Sequence, residues 1–397
     1  MGHLFLARTL EVVPAYLDHA ASTPMRPEAV AAMLPFLSDH PGNPSGGHAV
    51  ARAAKTALEE AREEVAAILG CAPGEVVFTG GGTEADNLAV KGAARAARPA
   101  RRDGVVTSAI EHKGVLAATA RLESDGFRVA TIGVDHGGVV DLDQLEAALD
   151  ERTAVVSVML VNNEVGTIQP LSEVAKRVRA RAPQALLHTD AVQGVPWLDV
   201  APAIAELDLI AISGHKFGGP KGVGVLVVRN GVELEPEIEG GGQERGLRAG
   251  TVNVAGAVAL ATALRVTHER RKTDVDRVRV LRDRLVRGLA DAVPSISFNG
   301  DPDEKVAGNC HVAFAGVESE ALLLTLDAAG VYAAAGSSCS SGASEPSYVL
   351  EAMGLSRADA LSSVRFSLGF ASTNSDVATA LDVVPRAVAQ LRGEAAA

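Results

Sequence analysis

Between residue 50 and about residue 260, short apolar runs alternate with stretches of helical periodicity, and the runs end in polar or glycine-rich residues. EVVFTGGG, GVVTSAIEH, TAVVSVMLVNNE, ALLHTDAVQ, LDLIAISGHK and GVGVLVVR are of strand length. Helical patterns with start signals, among them DLDQLEAALDE and PLSEVAKRVRARA, lie between them. This alternation predicts parallel βαβ construction. No internal repeat or low-complexity linker interrupts it.

Beyond Thr251 the pattern changes to the Ala-rich VAGAVALATAL and then to DVDRVRVLRDRLVRGLADAV. There Val275, Val278, Leu281, Leu285 and Leu289 fall at helical spacing. A strand-like CHVAFAG and a helical ESEALLLTLDAAG follow. The predicted fold class is α/β, with a large domain over 16–260 built on a mostly parallel central sheet. A smaller α+β C-terminal domain over 261–397 takes in the N-terminal segment 1–15.

Composition adds exclusions. The 397 residues are 47% apolar, 22% charged and only 3% aromatic, so the core is built from Ala, Val, Leu and Ile. A net charge of −12 with no long basic run, and few aromatics to stack on bases, excludes nucleic acid as a direct ligand. No apolar run reaches the roughly 20 residues that a membrane helix requires. Arg8 and Glu11 interrupt the opening apolar stretch and no small-residue cleavage site follows it, so a cytoplasmic protein is expected.

The three cysteines, Cys71, Cys310 and Cys339, are scattered, without a CxxC pair or metal-type spacing. Neither a disulfide framework nor a metal site is expected. Cys71 and Cys310 read as small buried hydrophobes. Cys339 differs, because AAGSSCSSGASEP surrounds it with Gly, Ser and Ala and leaves little to pack against.

In open parallel sheets ligands bind beyond the carboxyl ends of the strands, so the residues after each run carry the chemistry. VVFT is followed by Gly80, Gly81, Gly82 and Thr83 and then by a helical pattern, a start that suits a phosphate group. It lacks the GK[ST] ending of a P-loop and the spacing of a dinucleotide fingerprint. Later runs end in Glu111-His112, in Asn162-Asn163, in Asp190 with Gln193 a turn on, and in Ser213-Gly214-His215-Lys216. A lysine can form a Schiff base with an aldehyde cofactor, an aspartate can hold a protonated pyridine nitrogen, and a Gly/Thr helix start can hold a phosphate ester. Together these needs describe pyridoxal 5′-phosphate.

At the same residues the chain resembles the cysteine desulfurases, members of the class V aminotransferase group with the fold-type I, aspartate-aminotransferase-like architecture. The resemblance runs from about Tyr16 to the last helix. It is carried by YLDHAASTP, GNPSGGH, VVFTGGGTEADNLAVKG, EHKGVL, VNNEVGTIQP, HTDAVQ, SGHKFGGPKGVG, GGGQERGLRAGT, GSSCSSG, EPSYVL and SVRFSLG. It implies that Lys216 is the Schiff-base lysine, that Asp190 pairs with the pyridine nitrogen, and that His112 stacks on the ring and exchanges protons with substrate. Gln193 would contact the ring hydroxyl. Gly82, Thr83, Ser213 and His215 would hold the phosphate, with Thr251 supplied by the second subunit of a homodimer. Asn163 and Arg365 would bind the substrate carboxylate, a task suited to a planar bidentate guanidinium.

In such an enzyme Cys339 attacks the sulfur of bound L-cysteine, leaving alanine and a persulfide on the protein. An unperturbed thiol near pKa ~8.5 is mostly protonated at neutral pH, so a proton acceptor such as His112 should assist. The long Gly/Ser loop resembles the mobile-loop group, which serves iron–sulfur assembly and tRNA thiolation. The expected partners are therefore L-cysteine, a second copy of the chain, and sulfur acceptors such as an iron–sulfur scaffold or a tRNA-thiolating enzyme. Alternatives are a selenocysteine lyase or another class V transaminase, and, from a different class, a non-catalytic sulfur-relay scaffold.

Overall fold

The computed structural model describes residues 14–336 and 345–393. After the short strand β1 (Ala15–Tyr16), seven strands form the main sheet: β2 (Val76–Thr79), β3 (Gly104–Ser108), β4 (Arg128–Ile132), β5 (Thr153–Ser157), β6 (Leu186–Asp190), β7 (Leu209–Ser213) and β8 (Gly224–Val228). Their order is β2-β8-β7-β6-β5-β3-β4. Neighbours from β4 across to β7 pair in parallel, whereas β8 is antiparallel to both β7 and β2.

Alternation along the strands divides the core. Val76, Phe78, Val106, Val156, Ile210, Ile212, Val225 and Val227 face one way, into a cluster with the helices Ala49–Leu69 and Leu171–Arg181. Val77, Val105, Val155, Leu209, Ala211, Leu226 and Val228 face the other way, onto the helices Gly82–Ala97 and Lys113–Ser124. A sheet covered on both faces needs apolar residues at successive positions, which is why these strands read as continuous apolar runs.

Two details depart from the sequence pattern. GVGVLVVR forms a strand as expected, but it runs against the others rather than extending the parallel series. Only residues 214–223 separate β7 from β8, too few for the crossover of a dozen or more residues that a parallel neighbour requires. The edge strand β4 was not among the expected runs. Its residues Arg128 and Thr131 are exposed, and Arg128 is engaged in ion pairs with Asp103 and Asp150, so no buried run advertises it.

A three-stranded antiparallel sheet, β9 (Ile296–Phe298), β10 (Asn309–Phe314) and β12 (Ser363–Ser367), holds a second core, with β10 in the middle. The fourth short strand of this region, β11 (Val331–Tyr332), pairs in parallel with β1, and Ala15 and Leu17 enter the same core. One helix, Val254–Ala292, contains both helical stretches read after Thr251. Its Ala257, Leu260 and Leu264 belong to the large core, and its Val278, Leu281, Leu285 and Leu289 to the small one. Cys310 is buried on β10, and Cys71 is half-buried against the large core. Burial pushes their thiols up to about 12 and about 11. Among the described residues no helix is long and apolar enough to cross a membrane.

Candidate active site

The carboxyl ends of the parallel strands open into a cavity of about 280 Å³, near the lower end of the range for small-molecule sites. From the ends of β2 and β7 it is lined by Gly82, Thr83, Ser213, His215 and Lys216, and after β3, β5 and β6 by His112, Asn163, Asp190 and Gln193. Arg365 reaches it from β12 in the small core. These ten residues, expected separately along the chain, are thus neighbours. Thr251 is exposed and does not line this cavity. Cys339 lies outside the described residues.

At the end of β2 the chain turns directly into the helix Gly82–Ala97. Gly81, at φ +148°, occupies backbone space that favours glycine. A Cβ at Gly82 would approach Val192 Cγ2 to 2.9 Å and Ser213 Cβ to 3.4 Å. The Thr79 hydroxyl donates to the Gly81 carbonyl at 3.0 Å and holds the turn. Free amides at a helix start, beside the hydroxyls of Thr83 and Ser213, form a setting for an anion. His215 contributes as a neutral ring, because burial, then Lys216 and Lys221, lower its pKa to about 4. Its Nδ1 lies 3.3 Å from Ser22 Oγ.

Lys216 follows β7 in a single turn, and its Nζ donates to the carbonyls of Ala20 at 2.6 Å and Ala21 at 2.9 Å. Gln193 Nε2 donates to the same Ala20 carbonyl at 2.8 Å. Asp190, the last residue of β6, accepts from Val192 N at 2.9 Å. Burial raises its pKa, partly opposed by His112 and Lys216. His112 caps the helix Lys113–Ser124, with Nδ1 accepting from Gly114 N at 3.0 Å. The neutral ring therefore carries its proton on Nε2.

Behind this front lie groups to which the sequence reading gave no role. Asp86, on the Gly82–Ala97 helix, is fully buried and offers a ligand atom within 4.8 Å of those of His112 and Asp190. Burial, then repulsion from Asp190 and Glu111, raises its pKa well above the ordinary carboxylate value. His188 Nε2 lies 3.5 Å from Asp86 Oδ1, but burial lowers its pKa to about 3, so the contact is not an ion pair. Glu111 accepts from Ser108 Oγ at 2.6 Å and Met159 N at 2.8 Å, and burial raises it to about 8. Tyr348 lines the cavity and donates to the Glu111 carbonyl at 2.7 Å. Asp86, Glu111 and Tyr348 all sit inside the recognised blocks, so their positions are visible in the sequence while their burial is not.

Arg365 is only 2% exposed. Its Nη1 donates to the Asn163 carbonyl and its Nη2 to Asp18 Oδ1, both at 2.8 Å. Arg365 Nε, Asn163 Oδ1 and Asp86 Oδ1 are buried without a hydrogen-bond partner among the described residues. Buried polar groups are ordinarily satisfied, so this concentration at one cavity marks a place that takes a polar ligand. The two raised carboxyls favour a cationic group between them.

Residues 15–379 match the family described as aminotransferase class V. An IscS-like cysteine desulfurase of Mycobacterium tuberculosis is 45% identical over 390 residues, 96% of this chain and 98% of that protein. Among solved structures, a NifS-like protein superposes with a TM-score of 0.90 at 35% identity, covering 95% of this chain and 100% of the other. SspA, solved in complex with cysteine, gives a TM-score of 0.79 at 34% identity, over 90% of this chain and 100% of its own. With matches of this identity over nearly the whole length of both partners, the chain belongs to the class-V aminotransferase family and, within it, to the cysteine desulfurases.

Proposed function

We propose that the protein converts L-cysteine to L-alanine with pyridoxal 5′-phosphate as cofactor, leaving the sulfur as a persulfide on Cys339. The observation that carries this reading is the meeting of Lys216, Asp190, the Gly82–Thr83 helix start and Arg365 in one cavity. The residues present fit the cofactor. Lys216 would supply the amine for its aldehyde, Asp190 and Asp86 would answer a pyridinium charge, and Gly82, Thr83, Ser213 and His215 would hold the phosphate. Gln193, which lines the same cavity, would contact the ring hydroxyl. Bound there, pyridoxal phosphate supplies an electron sink for charge released at the substrate Cα.

The chain's own residues do the rest. Asn163 and Arg365 hold the substrate carboxylate, with Arg365 Nε as the donor left without a partner among the described residues. Lys216 moves the Cα proton, and His112 is a second acid or base lining the same cavity. The Cys339 thiolate attacks the substrate Sγ, so the Cβ–Sγ bond breaks as the S–S bond forms. Cβ takes a proton and leaves as the methyl group of alanine. Enzyme thiol plus cysteine gives enzyme persulfide plus alanine, with sulfur oxidised, carbon reduced and no outside oxidant. The reading extends to a cytoplasmic homodimer whose second subunit completes the phosphate site with Thr251, and to acceptors such as an iron–sulfur scaffold or a tRNA-thiolating enzyme.

The test is a single turnover with L-cysteine, scoring alanine and the mass of the peptide containing Cys339. Wild type should form both alanine and a persulfide. Cys339→Ser should keep the cofactor absorbance and its change on adding cysteine, yet lose alanine formation. Full alanine production by Cys339→Ser would overturn the reading.

A further inference from the structure

Glu164 is completely buried, and an apolar side chain there would avoid the cost of burying a carboxyl group. What it touches accounts for its presence. Its Oε2 accepts from the Ser347 hydroxyl. The same oxygen would lie 2.6 Å from a Cβ at Gly336, a position with φ +84°, so the glycine permits both the close approach and the backbone conformation. Gly336 is the last described residue before 337–344, and Ser347 follows that segment by three residues. A single carboxylate thus meets both flanks of the segment that carries Cys339.

The other side of Glu164 leads to the carboxylate-binding pair. It adjoins Asn163, whose carbonyl accepts from Arg365 Nη1 at 2.8 Å. Arg365 exchanges both backbone hydrogen bonds with Ala334, two residues before Gly336, at 2.7 and 3.2 Å. The position of Glu164 is itself fixed: its amide donates to Asn162 Oδ1 at 2.9 Å and its carbonyl accepts from Asn309 Nδ2 at 2.7 Å. On the far flank, the Ser347 hydroxyl accepts from Val349 N at 3.2 Å and Leu350 N at 3.4 Å, capping the short helix that carries Tyr348 into the cavity.

From this geometry we infer that Glu164 is a positioning residue for sulfur transfer, tying the Asn163–Arg365 pair to both flanks of the Cys339 segment. It touches neither substrate nor cofactor. It fixes Gly336 and Ser347, the described residues on either side of that segment, relative to the carboxylate-binding pair. The inference rests on the desulfurase reading above.

The test uses the holoenzyme and three separate readouts: cofactor affinity, KM for L-cysteine, and the single-turnover rate of persulfide formation on Cys339. Wild type comes first, and absence of a Cys339 persulfide there would defeat the desulfurase reading before any variant is made. Given that persulfide, Glu164→Ala should slow its formation by about 10- to 100-fold, with cofactor affinity and KM within about threefold of wild type. Ser347→Ala should move the same readout in the same direction, and it decides the matter if Glu164→Ala does not fold. Glu164→Gln, whose amide oxygen still accepts from Ser347, should recover most of the rate. An unchanged persulfide rate in the alanine variants, an equal loss of cofactor affinity, or no recovery with glutamine would each overturn the inference.

Discussion

Asp86 and Asp190 place two buried carboxyl groups within 4.8 Å of one another, and Asp86 Oδ1 accepts no hydrogen bond among the described residues. Both have raised pKa values, as does Glu111 behind them, at about 8. A carboxyl whose pKa is raised on folding binds more protons in the native than in the unfolded state. Its contribution is complete below the unfolded value and is lost as pH rises through the folded one. For Glu111 that window runs from its ordinary value of 4.5 to about 8. The melting temperature of the cofactor-free protein should therefore fall between these pH values. Asp86→Asn and Glu111→Gln should each flatten the fall and raise the midpoint at pH 8 by more than about 3 °C. Differential scanning fluorimetry across the range decides it, and variants melting below wild type at pH 8 would contradict the argument.

Arg365 spends two of its donors on Asn163 and Asp18, and a third, Nε, has no partner among the described residues. A lysine has no planar fork and cannot reproduce this set. Arg365→Lys should raise KM for L-cysteine and lower kcat/KM by about 100-fold, in the range expected when a buried charged hydrogen-bonding partner is lost. The cofactor spectrum should be unchanged. Steady-state kinetics beside an absorbance scan check both halves of the expectation, and a shifted cofactor spectrum would place Arg365 in the wrong role.

Gly224 opens β8 opposite the turn that precedes the Gly82–Ala97 helix. A Cβ there would lie 2.7 Å from both the Gly81 carbonyl carbon and the Ile212 oxygen, which are backbone atoms that cannot rotate away. Gly224→Ala should displace the turn, weaken cofactor affinity by about 10-fold and cost roughly 1–3 kcal/mol of stability. Gly82→Ala meets the movable Val192 Cγ2 at 2.9 Å and should be milder. Equilibrium titration of the two apoproteins with cofactor ranks them, and the reverse order would refute the account.

How much of this was legible before the fold depends on where the information resides. Asp190, Ser213 and Lys216 could be read because a parallel sheet brings its strand ends to one edge, and each of them lies within a few residues of the end of an apolar run. Arg365 could be found only through its motif: periodicity makes β12 one more buried strand, and nothing local says that it faces the end of β5. The reversal of β8 was implicit in the short connection 214–223, a signal of loop length rather than of strand pattern. Asp86 and Glu164 fall inside recognised motifs but carry no local sign of a role, because each looks like an ordinary polar residue beside a helix start or in a turn. Their meaning comes from complete burial beside groups distant in the chain.

Thr251 is the one expected cofactor residue among the described ones that stands away from the cavity, exposed at the end of a segment held under strain. Glu244 and Arg245 lie at φ +46° and +60°, and non-glycine residues hold such angles only where the surroundings impose them. Arg62 donates to both Glu244 oxygens at 2.7 and 2.9 Å, and Phe78 N donates to Glu244 at 2.7 Å. The segment is thereby fastened to β2, whose end forms the phosphate cradle. If Thr251 serves the second subunit's cradle, pairing a Lys216→Ala subunit with a Thr251→Ala subunit concentrates both defects in one site and leaves the other intact. At limiting cofactor each homodimeric variant should be impaired, Lys216→Ala by about three orders of magnitude, whereas the mixed dimer should recover about half of wild-type activity per dimer. Action within one subunit predicts instead that the mixed dimer never exceeds half the Thr251→Ala rate, so differentially tagged, co-expressed subunits separate the two arrangements.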